Sequence, residues 1–325
     1  MRETAVEQAE DVSGIDVYKA KCRDLRIVPV SYIIKRMEGE EVNVKHHGIG
    51  EKGAQAFAEA LRVNKTIRVL NLTDNWIAGG APALCEALAV NSTIVILDLS
   101  ENRLGVQGAA TVGKLVETNR TIRELYLHGN SFGDRGAAAL CDSMIRNTTV
   151  RTLDLSKNDI GEHAGPAVGA MIEHNKTLQS VDLSWNLLRG KGGQAVCQAL
   201  RANDKMKRIN LAWNGLGELG ARDLAAVIND NVALDVLDLS KNRLGPEDGL
   251  LLANALRENQ YLTNVNLSAN AFQDEACAAL IDALQTNVVV MELGLADTKA
   301  GELAQQAVDR VQDVRGLDRA VNVQF

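Results

Sequence analysis

The chain has 325 residues, 46% of them hydrophobic and 24% charged, with a formal net charge of −7. Such usage belongs to a folded chain, and the negative balance lacks the basic footprint that nonspecific nucleic-acid binding needs. Aromatic residues are only 3% and prolines number four, poor material for a β-sandwich or barrel, and no apolar run reaches the roughly 18 residues of a membrane helix.

Residues 1–14 are acidic and unpatterned, which predicts disorder. Met1–Thr4 lead into them without the apolar stretch of a secretory signal. Residues 15–38 predict one or two short helices separated at Pro29, with Tyr18, Leu25, Ile27, Val30, Ile33 and Met37 as apolar surface. Their expected role is an N-terminal cap. From 39 to 315 the chain repeats itself. One asparagine anchors each unit: Asn75, Asn102, Asn130, Asn158, Asn186, Asn214, Asn242 and Asn270. Every step is 28 residues except the first, which is 27. One more step back lands on His47 and one more forward on Thr298, giving about ten units with degenerate ends.

Within a unit the first half alternates with period two, as in Leu125 and Leu127 or Leu153 and Leu155, and predicts a short strand. The second half has apolar residues at three-to-four spacing, such as Ala137, Leu140, Cys141 and Met144, and predicts a helix. Gly105, Gly133, Gly161, Gly217 and Gly245 lie between the halves and are expected to permit the turn. Asn119, Asn147, Asn175, Asn203 and Asn231 end the helices, where a left-handed conformation is expected. A last helix is predicted near Gly301–Val314. Residues 316–325 form a tail whose VNVQF adds a final strand or frays.

One strand and one helix cannot enclose a core, but a stack of them can. The expected architecture is an α/β solenoid with parallel strands on the concave face and helices on the convex face. Helices need more width than strands, which sit about 4.8 Å apart, so the stack must curve. The anchor asparagine sits where the strand ends. Its amide both donates and accepts, so it can satisfy turn backbone that has left water.

The five cysteines are odd in number and never closely spaced, which excludes a disulfide framework or zinc finger. Cys85, Cys141 and Cys197 share one register and are expected as buried apolar residues in a reducing cytoplasm. Gly215-x-Gly217-x-x-Gly220 matches a dinucleotide fingerprint, with Asp238 about 20 residues on. The repeat accounts for Gly217 and Gly220, and only Gly215 is extra. No HExxH, no P-loop and no G-x-S-x-G occurs. No catalytic residue, cofactor or metal is therefore expected.

What stands out is the outward row of the strands: Asn71, Asp98, Tyr126, Asp154, Asp182, Asn210, Asp238 and Asn266. Asp154 and Asp182 are direct neighbours, and like charges side by side in a ladder cost energy. The preceding outward row adds Glu124, Arg208 and Glu292. His128, Trp185 and Trp213 lie just past the strands, the two tryptophans in equivalent slots where they can stack. Exposed tryptophan, tyrosine and arginine dominate binding hot spots. The expected concave binding face therefore comprises Asp98, Glu124, Tyr126, His128, Asp154, Asp182, Trp185, Arg208, Trp213 and Asp238. The expected partner is a protein with a basic or mixed-charge surface, not nucleic acid or membrane, engaged by a monomer.

These units resemble leucine-rich repeats of the ribonuclease-inhibitor-like class, an intracellular α/β horseshoe family with 28–29-residue units. YKAKCRDLRIVPVSYIIKRM, at Tyr18–Met37, followed by HHGIGEKGA and LNLTDNWI, resembles the leucine-rich repeat-containing protein 74 group. The resemblance implies a noncatalytic protein-interaction scaffold. Two alternatives come from proteins with the same repeat class, a GTPase activator of the Ran type and an actin-filament regulator of the tropomodulin type. The first carries a strongly acidic C-terminal segment where this chain has VRGLDRAVNVQF. The second brings extra actin-binding helices that are not identifiable here.

Overall fold

The computed structural model describes residues 12–315 and 321–325. Residues 1–11 of the segment expected to be disordered, and 316–320 of the expected tail, lie outside the described residues. Ser13 and Gly14 are buried, and the Ser13 carbonyl accepts from Asn64 Nδ2 at 2.8 Å, so the end of the 1–14 segment is packed.

Eleven three-residue strands form one parallel sheet in sequence order. They are β1 Glu41–Asn43, β2 Val69–Asn71, β3 Ile96–Asp98, β4 Glu124–Tyr126, β5 Thr152–Asp154 and β6 Ser180–Asp182. Then come β7 Arg208–Asn210, β8 Val236–Asp238, β9 Asn264–Asn266, β10 Glu292–Gly294 and β11 Asn322–Gln324. The register is constant: Leu125 faces Leu153, and Leu153 faces Val181. Each central residue is buried while its neighbours are partly exposed, the burial expected from period-two alternation. VNVQF supplies the last strand, with Val323 opposite Leu293.

A helix follows each of β1–β10. In Gly133–Ile145 the buried residues are Gly136, Ala137, Leu140, Cys141 and Met144, a single stripe facing the sheet. Leucines of successive turns meet these stripes in one continuous core, closed at the first turn by Ile15–Asp24 and Ser31–Ile34. Tyr18 there packs edge-on to Phe57 with centroids 6.0 Å apart, and its hydroxyl accepts from Val30 N–H at 3.1 Å. The five cysteines are buried free thiols. Burial pushes Cys85 and Cys141 up to about 12, which leaves them protonated and inert near neutral pH.

Two columns of asparagine tie the turns together. In the first, Asn130 Nδ2 donates to Leu99 O at 3.0 Å and Leu127 O at 2.9 Å, while its N–H donates to Asn158 Oδ1 at 2.9 Å. Asn75, Asn102, Asn158, Asn186, Asn214, Asn242 and Asn270 take the same place, buried, one per turn. Thr298 ends the column, its hydroxyl donating to Leu295 O at 2.6 Å.

The second column corrects the expectation for the helix ends. Asn119, Asn175, Asn203 and Asn231 are extended, with φ −66, −71, −87 and −79, not left-handed. Their side chains explain why. Asn175 Nδ2 donates to Met144 O and Asn147 O at 2.6 and 3.0 Å, and its Oδ1 accepts from Thr177 and Leu178 N–H, both at 2.8 Å. The side chain bonds the preceding helix end and its own turn at once, which needs an extended backbone leading into the next strand. Arg315 holds the last such slot, its guanidinium donating to Leu284 O and Val290 O, both at 2.9 Å, and to Asn287 O.

The turn glycines also divide. Gly105, Gly133 and Gly217 are left-handed, but Gly161 and Gly245 have φ −99 and −91. Those two turns enter their helices differently. Gly161 precedes a 3-10 turn at Glu162–Ala164, and the N–H of Gly245 donates to Asp248 Oδ2 at 2.7 Å, ahead of Pro246. Elsewhere the left-handed residues flank the first-column asparagine, as at Lys157, Trp185, Trp213 and Lys241.

Candidate functional site

The solvent face of the sheet carries the row Asn71, Asp98, Tyr126, Asp154, Asp182, Asn210, Asp238 and Asn266, successive partners across the strands. Every carboxylate or amide in it serves its own turn. Asp98, Asp154, Asp182 and Asp238 Oδ1 accept from the N–H of Ser100, Ser156, Ser184 and Ser240 at 2.8 to 2.9 Å. Asn71, Asn210 and Asn266 do the same with Thr73, Ala212 and Ser268. This is the local side-chain-to-backbone bonding to which aspartate and asparagine are suited. One oxygen per aspartate is thus structural, and only the other faces outward. Three of those outer oxygens are held by asparagine Nδ2: Asp98 by Asn71, Asp182 by Asn210 and Asp238 by Asn266, at 2.9 to 3.0 Å.

Asp154 differs. Its Oδ1 takes both the N–H and the hydroxyl of Ser156, at 2.8 and 2.6 Å. Burial lifts its carboxyl above the ordinary aspartate range, and the Asp182 charge adds to the lift, while the Ser156 hydrogen bonds oppose it. Between the ordinary and the raised value the folded protein holds a proton that the unfolded chain has lost. The group's contribution to stability therefore falls as pH rises through that window.

Asp154 belongs to a chain of side chains across three turns. His128 Nδ1 lies 2.7 Å from Ser156 Oγ, and His128 Nε2 lies 3.1 Å from Glu101 Oε1, which Lys157 Nζ also reaches at 2.9 Å. Tyr126 donates to Glu124 at 2.7 Å, and burial raises its phenol to about 12. Serine, histidine and glutamate in line have the makeup of a hydrolase triad. The serine is only 4% exposed and its hydroxyl proton is given to Asp154, so it does not present a nucleophile. These residues line a hollow of about 530 Å³ together with His46 and Asp74, which are themselves 2.7 Å apart.

The second cluster sits past the ends of β6–β8. Trp185 and Trp213 stack with centroids 4.1 Å apart and planes at 17°, and Lys241 Nζ lies 4.6 Å from the centre of the Trp213 ring. They are 54% and 40% exposed. Equivalent slots 28 residues apart fall side by side because the register is constant. Of the residues singled out from sequence, Asp98, Glu124, Tyr126, His128 and Asp154 gather at one end of the face. Trp185 and Trp213 lie at the other, with Asp182 between. Arg208 is exposed on β7 and makes no ion pair with a described residue. Asp238 is tied to Asn266. Sequence reading left out Glu101, which organises His128 and Lys157, and Leu187, Arg189 and Arg243 beside the tryptophans.

No helix among the described residues is long and apolar enough to cross a membrane. A leucine-rich repeat family model matches residues 63–80, 90–113, 118–141, 146–162 and 174–197. Human leucine-rich repeat-containing protein 74B is 35% identical over 52 residues, which is 16% of this chain and 13% of that protein's length. A tropomodulin C-terminal domain from Caenorhabditis elegans is similar at 15% identity and a TM-score of 0.39, over 46% of this chain and 91% of that domain. Repeating strand and helix, the one-per-turn asparagine and the family match identify the chain as a leucine-rich repeat protein with an α/β solenoid fold.

Proposed function

We propose that the protein is a noncatalytic scaffold of the reducing cytoplasm that grips a protein partner on its concave sheet face, between Asp98 and Asp238. The observation that carries this reading is the gathering of Asp98, Glu101, Glu124, Asp154 and Asp182 on one open surface, with Asp154 Oδ2 lacking a described partner. The structural role of each Oδ1 leaves the row rigid, so its charge is presented in fixed positions. Fixed charge steers and orients a partner of opposite sign. Such a face suits a basic or mixed-charge surface. The five buried thiols fit a reducing compartment. The engaged, buried hydroxyl of Ser156 supports a noncatalytic role.

A variant carrying D154N, D182N, W185A and W213A tests the face. Its fold is expected to persist, because asparagine already fills the aspartate slot at Asn71, Asn210 and Asn266. Affinity for the partner recovered with the wild-type protein is expected to fall by roughly 30-fold or more, since one truncated hot-spot side chain alone costs about 2 kcal/mol. Unchanged affinity in a titration would remove the concave face as the binding surface.

A further inference from the structure

A second hollow, of about 940 Å³, lies at the rim beside the tryptophans and shares no lining residue with the acidic one. It follows the residue after the ladder asparagine in four successive turns: Leu187, Gly215, Arg243 and Ala271. Gly215 is the glycine that the repeat does not require. In other turns this slot holds Trp76, Arg103, Ser131, Asp159 and Arg243, all left-handed with side chains in place, so the backbone conformation at φ +65 does not by itself demand glycine. Packing does not demand it either, because a Cβ there would meet nothing within 4 Å. What glycine leaves is room, bounded by exposed Leu187 on one side and Arg243 on the other.

The charge around this room is the reverse of that on the sheet. Arg189, Lys241 and Arg243 line it, and none forms an ion pair with a described residue. In a chain of net charge −7, three cations without carboxylate partners around one apolar floor form a local inversion of sign. Guanidinium groups are suited to bidentate carboxylate binding. Four turns at about 4.8 Å spacing span roughly 14 Å, the length of about four extended residues. Trp213 is flanked by Trp185 in the turn before and Lys241 in the turn after. Its faces are therefore covered, which disfavours the base stacking on which single-stranded nucleic-acid binding depends.

We propose that this rim hollow binds an extended acidic segment of a partner protein, its carboxylates on Arg189, Lys241 and Arg243 and an apolar side chain over Gly215 against Leu187. This surface is additional to the concave face and does not depend on it. The test is selection of a random dodecapeptide display library against the full chain, followed by titration of the selected peptides. Expected are peptides with two or more aspartates or glutamates next to a leucine or aromatic residue. R189E/R243E and, separately, G215W are each expected to weaken them by at least about tenfold, a change equal to one decade of Kd. G215W fills the room with a residue that the same slot already holds as Trp76, so it should fold, and circular dichroism checks that it does. K52E/R135E, an equal charge reversal on exposed helix residues away from the hollow, should retain binding. Failure to enrich acidic peptides, or equal binding to both hollow variants, would overturn the proposal, whatever basic peptides do at the concave face. So would displacement of the peptides by an oligothymidylate that binds more tightly.

Discussion

Asn158→Leu is expected to lower the unfolding free energy by about 3 kcal/mol, read as a lower urea midpoint at unchanged slope. The figure comes from counting what loses its partner. Asn158 is fully buried, and its Oδ1 is the acceptor for the N–H of Asn130 at 2.9 Å. Leucine leaves that N–H orphaned, which costs roughly 1–3 kcal/mol. The two carbonyls that Asn158 serves fare better. Leu127 O keeps Asn130 Nδ2, and Ser156 O keeps the N–H of Gly129 at 3.0 Å. Each therefore loses a second bond and not its last, at about 0.5–1.5 kcal/mol. A branched apolar side chain in place of a flat amide adds crowding in the same direction. Because each turn of a solenoid depends on its neighbours, the loss should spread to adjacent turns before it reaches the ends.

Gly165→Ala is expected to cost a similar amount, about 3 kcal/mol, through a different mechanism. A Cβ built on Gly165 meets the Cα of Gly192 at 2.4 Å and its carbonyl oxygen at 2.9 Å. Both atoms are backbone, so no rotamer change relieves the contact, and helices Gly165–His174 and Arg189–Ala202 must move apart. That separation loosens packing around Val168, Ile172 and Val196, all fully buried. Gly105→Asn is the matched comparison. A Cβ there meets nothing within 4 Å, and asparagine tolerates the left-handed φ of +60, so a loss of under about 1 kcal/mol is expected. Equal losses at the two positions would mean that the close helix approach is not what Gly165 provides.

The repeat explains why so much was legible. A period of 28 residues fixes strand, helix and asparagine once, and constant register then places every equivalent residue side by side. The Trp185–Trp213 stack followed from that rule alone. Asp154 shows its limit. Sequence reveals an outward aspartate but not that Oδ1 is committed to Ser156, because an aspartate solvated on both oxygens and one folded onto its own turn leave the same pattern. The helix-end asparagines were visible and their conformation was misjudged. A common preference for left-handed asparagine at helix ends gave way to four hydrogen bonds available only from the extended form, as at Asn175. Gly161 and Gly245 departed from the other turn glycines for reasons written in their neighbours, His163–Ala164 and Pro246. The rim hollow was hardest to foresee. Its defining feature is a side chain that is missing at Gly215, and absence carries weight only when neighbouring turns show what normally stands there.

The most direct test of two asparagine columns binding the turns together is hydrogen exchange at the side-chain amides, followed by nuclear magnetic resonance. The Nδ2 protons of Asn102, Asn130, Asn158, Asn175 and Asn203 are expected to exchange only through global or multi-turn unfolding, orders of magnitude more slowly than those of half-buried Asn71, Asn210 and Asn266 on the sheet face. Exchange of the two sets at comparable rates would contradict the ladders.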